Sequence, residues 1–324
     1  MHQHRTEILD WIAQGRLRPE NWATALRLAG TTPDTRDWRK FLDQLMLWLG
    51  TTFCAVAVIF FFAYNWTEMG RFAKFGLVEI LIVGGLAMYC RLDAERPAGK
   101  ATLLLATLLV GALLALVGQT YQTGADTYEL FGVWASAVLV WVLIARLGAL
   151  WLLWLALVNL AVYLYSQTFG GLWGMLFRTE EQIWTFFILN TGALVIWEAA
   201  ARSGATWLNE RWSLRILGTV SGALVTMLML WALFDAPNDR STYATAAYVG
   251  WMLMAYLYYR HVVPDLFMLA GGVLSGVIVI TSFLAIHILD RRSAGGFLLI
   301  GLVVIGLSAA GGVWLKSVAS GERA

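Results

Sequence analysis

The chain is 324 residues long, 59% apolar and only 14% charged, with a formal net charge of +2 and a mean hydropathy of +0.67. A soluble domain carries about a quarter charged residues, so lipid rather than water is the main solvent of this sequence. The small net charge, and the lack of a basic run interleaved with aromatics beyond the first forty residues, exclude a nucleic-acid partner.

Read in chain order, MHQHRTEILDW lacks the apolar stretch of a cleavable signal peptide, so the first span is expected to direct insertion itself. Ile8, Leu9, Trp11 and Ile12 recur at helical spacing up to Gly15, a C-cap residue. Pro19 suits the first position of a second short helix, which Gly30 stops. Residues 1–41 are therefore expected to form a short cytoplasmic helical hairpin, too small to bury a core of its own. It rests on the membrane face or docks a partner. Residues 42–316 form a transmembrane helical bundle and 317–324 a cytoplasmic tail.

A bilayer core about 30 Å thick needs roughly 20 apolar residues per helix. Spans meeting that need lie near 45–64, 72–90, 101–117, 129–145, 148–166, 182–200, 214–234, 242–259, 265–289 and 295–315. The weakest point is Arg146-Leu147-Gly148, where one broken helix is the alternative to two. The expected fold is thus all-α: a polytopic membrane protein of about ten spans. Trp66, Trp151, Trp173, Trp184 and Trp314 fall near span ends, where an amphipathic ring suits the headgroup layer.

With the N-terminus in the cytoplasm, seventeen Lys and Arg fall on that side and six on the other. The positive-inside rule then places both termini in the cytoplasm, although seven of the seventeen belong to the first 41 residues. Cys54 lies mid-span and Cys90 at a span end, depths too different for a disulfide. No cofactor motif, nucleophile elbow or metal-ligand spacing is present, so no catalytic, cofactor or metal residues are assigned. GTVSG at 218–222 and GVLSG at 272–276 read as GxxxG motifs that let helix backbones approach closely.

The polar chemistry concentrates in GQTYQTGADTYELFGVWA at 118–135, between the third and fourth spans on the non-cytoplasmic side. Two Gln, two Tyr, three Thr and two carboxylates occupy residues 119–129. Asp126 and Glu129 have the spacing of a capping box, and the same groups suit a ligand, ion or proton site. Glu79, about 10 Å into the second span, is costly against lipid and is expected to face the bundle or a cavity. Asn159 and Asn190 come out at a similar depth, as a polar layer with Glu79 or as separate interhelical hydrogen bonds. The candidate ligand- or ion-binding residues are therefore Glu79, Gln119, Tyr121, Gln122, Asp126, Tyr128, Glu129, Asn159 and Asn190.

ILDWIAQGRLRPENWATAL at 8–26, FFAYNW at 61–66 and GQTYQTGADTYELFGVWA at 118–135 together resemble a family of bacterial predicted membrane proteins, the domain of unknown function two-one-five-seven. The resemblance implies a bacterial inner membrane, a short cytoplasmic helical segment and neighbouring membrane modules. It brings no activity or site residue. Three functions are compatible with the sequence: an accessory or assembly subunit of a membrane complex, a transporter or channel with a periplasmic-side polar site, and an enzyme acting on a lipid-linked substrate. The first is favoured, with membrane lipid and other membrane proteins as the expected partners.

Overall fold

Inside a bilayer every backbone N–H and C=O needs an internal partner, and long apolar runs meet that need as helices. In the computed structural model ten long helices follow one another: α1 Thr35–Tyr64, α2 Arg71–Arg91, α3 Pro97–Tyr121, α4 Thr127–Ala145, α5 Gly148–Thr168, α6 Thr179–Arg202, α7 Arg211–Phe234, α8 Asp239–Leu257, α9 Leu266–Ile288 and α10 Ala294–Gly321. A π-helical turn, Tyr258–Val262, continues α8. The structure describes residues 8, 11–12, 14–22, 24–25, 34–64, 69–92, 96–122, 124–168, 179–204, 206–209, 211–234, 239–288 and 294–321, without the side chains of residues 179, 206, 209, 239, 288 and 294.

Each expected span corresponds to one helix, and no strand occurs among the described residues. Among the described residues, nine helices are long and apolar enough to cross a membrane. The tenth, α8, falls short because it opens on the polar run DRST. The Arg146 junction is a turn between two helices. Arg146 takes a left-handed φ of 49° as the C-cap of α4, and α5 packs back along α4. The Trp154 indole N–H donates to the Ala135 carbonyl at 3.0 Å across that hairpin.

The N-terminal segment matches its expected punctuation in part. Gly15 has φ +68°, and the Arg16 N–H donates to the Trp11 carbonyl at 2.9 Å, the close expected of a glycine that ends a helix. Pro19 opens a helix, but a short 3-10 one, Pro19–Asn21. The stop at Gly30, and Trp66 and Trp173, lie outside the described residues.

The expected boundary at residue 41 falls inside α1. This helix starts at Thr35 and runs 30 residues, about 45 Å at 1.5 Å per residue and longer than the bilayer core. A capping box fixes its start: the Asp37 N–H donates to Asp34 Oδ1 at 2.8 Å and the Asp34 N–H to Asp37 Oδ2 at 3.2 Å.

The helices form two units, 1–123 and 124–324, so they divide three and seven. In the first, α3 packs against both α1 and α2. Its small residues Ala101, Ala106, Gly111 and Ala112 are buried, and Phe62, Val78, Ile82, Leu109 and Leu116 form the core. In the second, α7 is central, packed on α6, α8 and α9. Leu214, Leu217, Ser221, Val225 and Leu228 repeat at three- and four-residue intervals along its buried face.

The glycine motifs behave differently from expectation. A Cβ on Gly218 would lie 2.1 Å from the terminal methyl of Met268, and one on Gly222 would lie 3.0 Å from the Trp251 ring. A Cβ on Gly276 would meet no atom within 4 Å. The glycines of α7 therefore receive side chains from α8 and α9 rather than a neighbouring backbone. Trp151 likewise packs inward, against Trp154, Trp197 and Trp207, rather than standing alone at an interface.

Candidate functional site

The 118–129 segment straddles the boundary between the two units. Gln119 and Tyr121 lie on the last turn of α3, and Gln122 ends that helix with a left-handed φ of 43°. All three are exposed, and Tyr121 stacks on Phe75 with ring centroids 5.9 Å apart. Asp126 stands at the N-cap of α4, but its side chain makes no capping hydrogen bond. The capping box expected at 126–129 is therefore absent. In its place the Glu129 N–H donates to the Asp126 backbone carbonyl at 3.0 Å, and the Glu129 carboxylate faces the Tyr128 hydroxyl at 3.4 Å. Tyr128 sets its ring edge-on to Tyr165, 5.1 Å away.

Glu79 lies eight residues into α2, about 12 Å along the helix. Contrary to expectation it is exposed. It makes no hydrogen bond or ion pair among the described residues. The cause is helical register. Lys74, Val78 and Ile82, four residues apart, are the buried positions of α2, and Glu79 lies about 100° further round. Phe72, Ile80 and Val83 are exposed with it at 78%, 72% and 64%.

Asn159 and Asn190 meet within the second unit. The Asn190 amide donates to Asn159 Oδ1 at 2.8 Å, and Asn159 returns a bond to Asn190 Oδ1 at 3.3 Å. Each amide also donates to the carbonyl one turn back, Leu155 and Phe186, at 2.8 Å. The pair ties α5 to α6. Because each side chain keeps its local carbonyl when the other is removed, the pairwise coupling should be small. A double-mutant cycle with Asn159→Ala and Asn190→Ala in detergent unfolding is expected to give a coupling of about 0.6 kcal/mol, with about 1.7 as a ceiling. Strict additivity would remove the pair as a tie.

A denser polar cluster, which the sequence reading did not anticipate, sits where α6 and α8 end and α7 and α9 begin. Glu198 is 8% exposed near the end of α6. Tyr258 donates to its Oε2 at 2.8 Å, Tyr259 to its Oε1 at 3.1 Å, and Arg211 lies 3.6 Å from Oε1. The Arg202 guanidinium stands 5.0 Å over the Tyr258 ring. Adjacent residues of a regular helix diverge by about 100° and seldom reach one carboxylate. Here the π turn that begins at Tyr258 widens the backbone. Both phenols donate to the one carboxylate.

One turn along α7, Arg215 Nε donates to Asp265 Oδ2 at 3.1 Å. Asp265 is 4% exposed, and its Oδ1 accepts from the Phe267 and Met268 N–H groups at 3.0 and 3.4 Å, capping α9. The Arg215 guanidinium also lies 5.6 Å over the Phe267 ring.

Below this pair, α7, α8 and α9 enclose a half-open cleft of about 530 Å³. Its walls are apolar apart from three hydroxyls, Thr219, Thr226 and Ser275. All three are spoken for: Thr219 donates to the Arg215 carbonyl at 2.7 Å, Thr226 and Ser275 are 2.7 Å apart, and the Tyr248 hydroxyl lies 3.0 Å from Ser275.

Comparison with known proteins bears out the resemblance over part of the chain. The family described as Predicted membrane protein (DUF2157) matches residues 9–151. That stretch includes Glu79 and the 118–129 segment and ends before the asparagine pair, the Glu198 cluster and the cleft. Neither the curated proteins nor the solved structures gave a match.

Proposed function

We propose that this chain is a multi-pass protein of a bacterial inner membrane, with both termini cytoplasmic, that serves as an accessory or assembly subunit of a membrane complex. The observation that carries the reading is Glu79, exposed near the middle of α2. A charged carboxylate facing hydrocarbon costs about 3 kcal/mol on insertion scales, so such residues are covered by protein. Phe72, Ile80 and Val83 continue the same open surface. Membrane helices associate by side-chain packing and polar contacts, and a carboxylate between large apolar groups is a means of fixing register.

The test is photocrosslinking in native membranes from Val83, which is exposed, and from Val78, which is 0% exposed. Val83 is expected to capture a second membrane polypeptide, identifiable by mass spectrometry, and Glu79→Leu to abolish the adduct. Val78 is expected to give only cross-links within residues 1–123. Adducts from Val83 that contain only lipid or other parts of the same chain would count against a partner on this face.

A further inference from the structure

We infer that the cleft between α7 and α9 is a binding site for one anionic membrane phospholipid, with an acyl chain in the cleft and the phosphate on Arg215. Three observations carry this. The first is length. The α7 wall runs from Gly218 to Leu230, about 18 Å at 1.5 Å per residue. One leaflet contributes half of a hydrocarbon core of about 30 Å, so the cleft is as long as a single acyl chain is deep.

The second is shape and lining. Gly271 keeps the α9 wall open, Trp251 forms part of the floor, and the volume is within the range of about 300–1,000 Å³ usual for ligand sites. A Cβ on Gly271 would meet nothing within 4 Å. A half-open space with these apolar walls takes a hydrocarbon chain.

The third is charge at one end. Arg215 precedes Thr219 of the cleft wall by one turn and stands over Phe267, which also lines the cleft. Its side chain is 44% exposed. It spends Nε on Asp265, and its terminal N–H groups make no hydrogen bond among the described residues. Among the described residues, the arginines of this end, Arg202, Arg211 and Arg215, outnumber the carboxylates they share it with, Glu198 and Asp265. A planar guanidinium backed by a buried carboxylate is held in place for a phosphate oxygen, and the surplus positive charge selects an anionic headgroup.

The purified full-length chain is titrated in detergent micelles with phosphatidylglycerol or phosphatidylcholine of identical acyl chains, and bound lipid is counted by native mass spectrometry. Wild type should bind one phosphatidylglycerol about tenfold more tightly than phosphatidylcholine, whose choline ammonium cancels the charge of the phosphate that both lipids carry. Arg215→Gln should erase that preference. Gly271→Leu, which fills the cleft without touching the Arg215–Asp265 pair, should weaken both lipids about tenfold or more. Gly250→Leu, in open space on α8 and outside the cleft lining, should change neither. Equal affinity of wild type for the two lipids, or unchanged binding by a folded Gly271→Leu chain, overturns the site.

Discussion

Glu198→Leu is expected to destabilise the second unit by about 3 kcal/mol, most of it from groups the substitution leaves behind. Tyr259 is 4% exposed and Tyr258 half-buried. Among the described residues their hydroxyls have no hydrogen-bond partner besides the two carboxylate oxygens, at 2.8 and 3.1 Å. A buried donor without its acceptor costs about 1–3 kcal/mol. Arg211 adds less, because its side chain is 32% exposed and water replaces part of the lost attraction. Glu198→Gln keeps one carbonyl oxygen in place and should cost about 1 kcal/mol. Tyr259→Phe removes donor and bond together and should also cost about 1 kcal/mol. Equilibrium unfolding in mixed micelles orders the three. A Leu variant no less stable than the Gln variant would show that the tyrosines find other partners, and the π turn would then need another explanation.

How much of this was legible in the sequence depends on the range of the interaction that fixes each feature. Ten helices followed from hydropathy and length alone, because lipid leaves the backbone no alternative. Gly15 and Pro19 were readable because their effects act within a turn. The capping box was misplaced for an equally local reason. At Asp126 the pattern D-x-x-E is present, yet the Glu129 carboxylate faces the Tyr128 hydroxyl instead of the N-cap amide. The D-x-x-D pattern at Asp34, less conspicuous as a sequence, forms both reciprocal bonds.

Facing was not legible. Depth along a span gave Asn159 and Asn190 the same level, and they do meet, because packed antiparallel helices bring equal depths together. Glu79 had the depth but not the face. The side of α2 that packs on α3 is set by Lys74, Val78 and Ile82, and nothing in the run FGLVEILI distinguishes Val78 from its neighbours. The Glu198 cluster was hidden for a further reason. Glu198, Arg202, Arg211, Arg215, Tyr258, Tyr259 and Asp265 are spread over 68 residues. Each reads alone as an interfacial residue at a span end. Only the docking of α6, α7, α8 and α9 around one end makes them a network.

Asp265→Ala should be the second costly change, at about 2 kcal/mol, and its two components are separable. Asp265 caps α9 through the Phe267 and Met268 amides, and loss of such a cap costs about 1 kcal/mol. It also pairs with Arg215, an interaction worth up to about 1 kcal/mol because the arginine is 44% exposed. Asp265→Asn keeps an oxygen for the amides and loses only the ion pair, so it should recover about half the loss. Hydrogen exchange distinguishes the two without reference to global stability. The amides of Phe267 and Met268 should exchange faster in the Ala variant and at the wild-type rate in the Asn variant. Equal acceleration in both variants would mean that the charge, not the cap, holds the start of α9. The same Asn variant probes the lipid site independently: without Asp265 to hold Nε, the guanidinium is free to swing toward water, and the preference for phosphatidylglycerol should narrow while cleft occupancy persists.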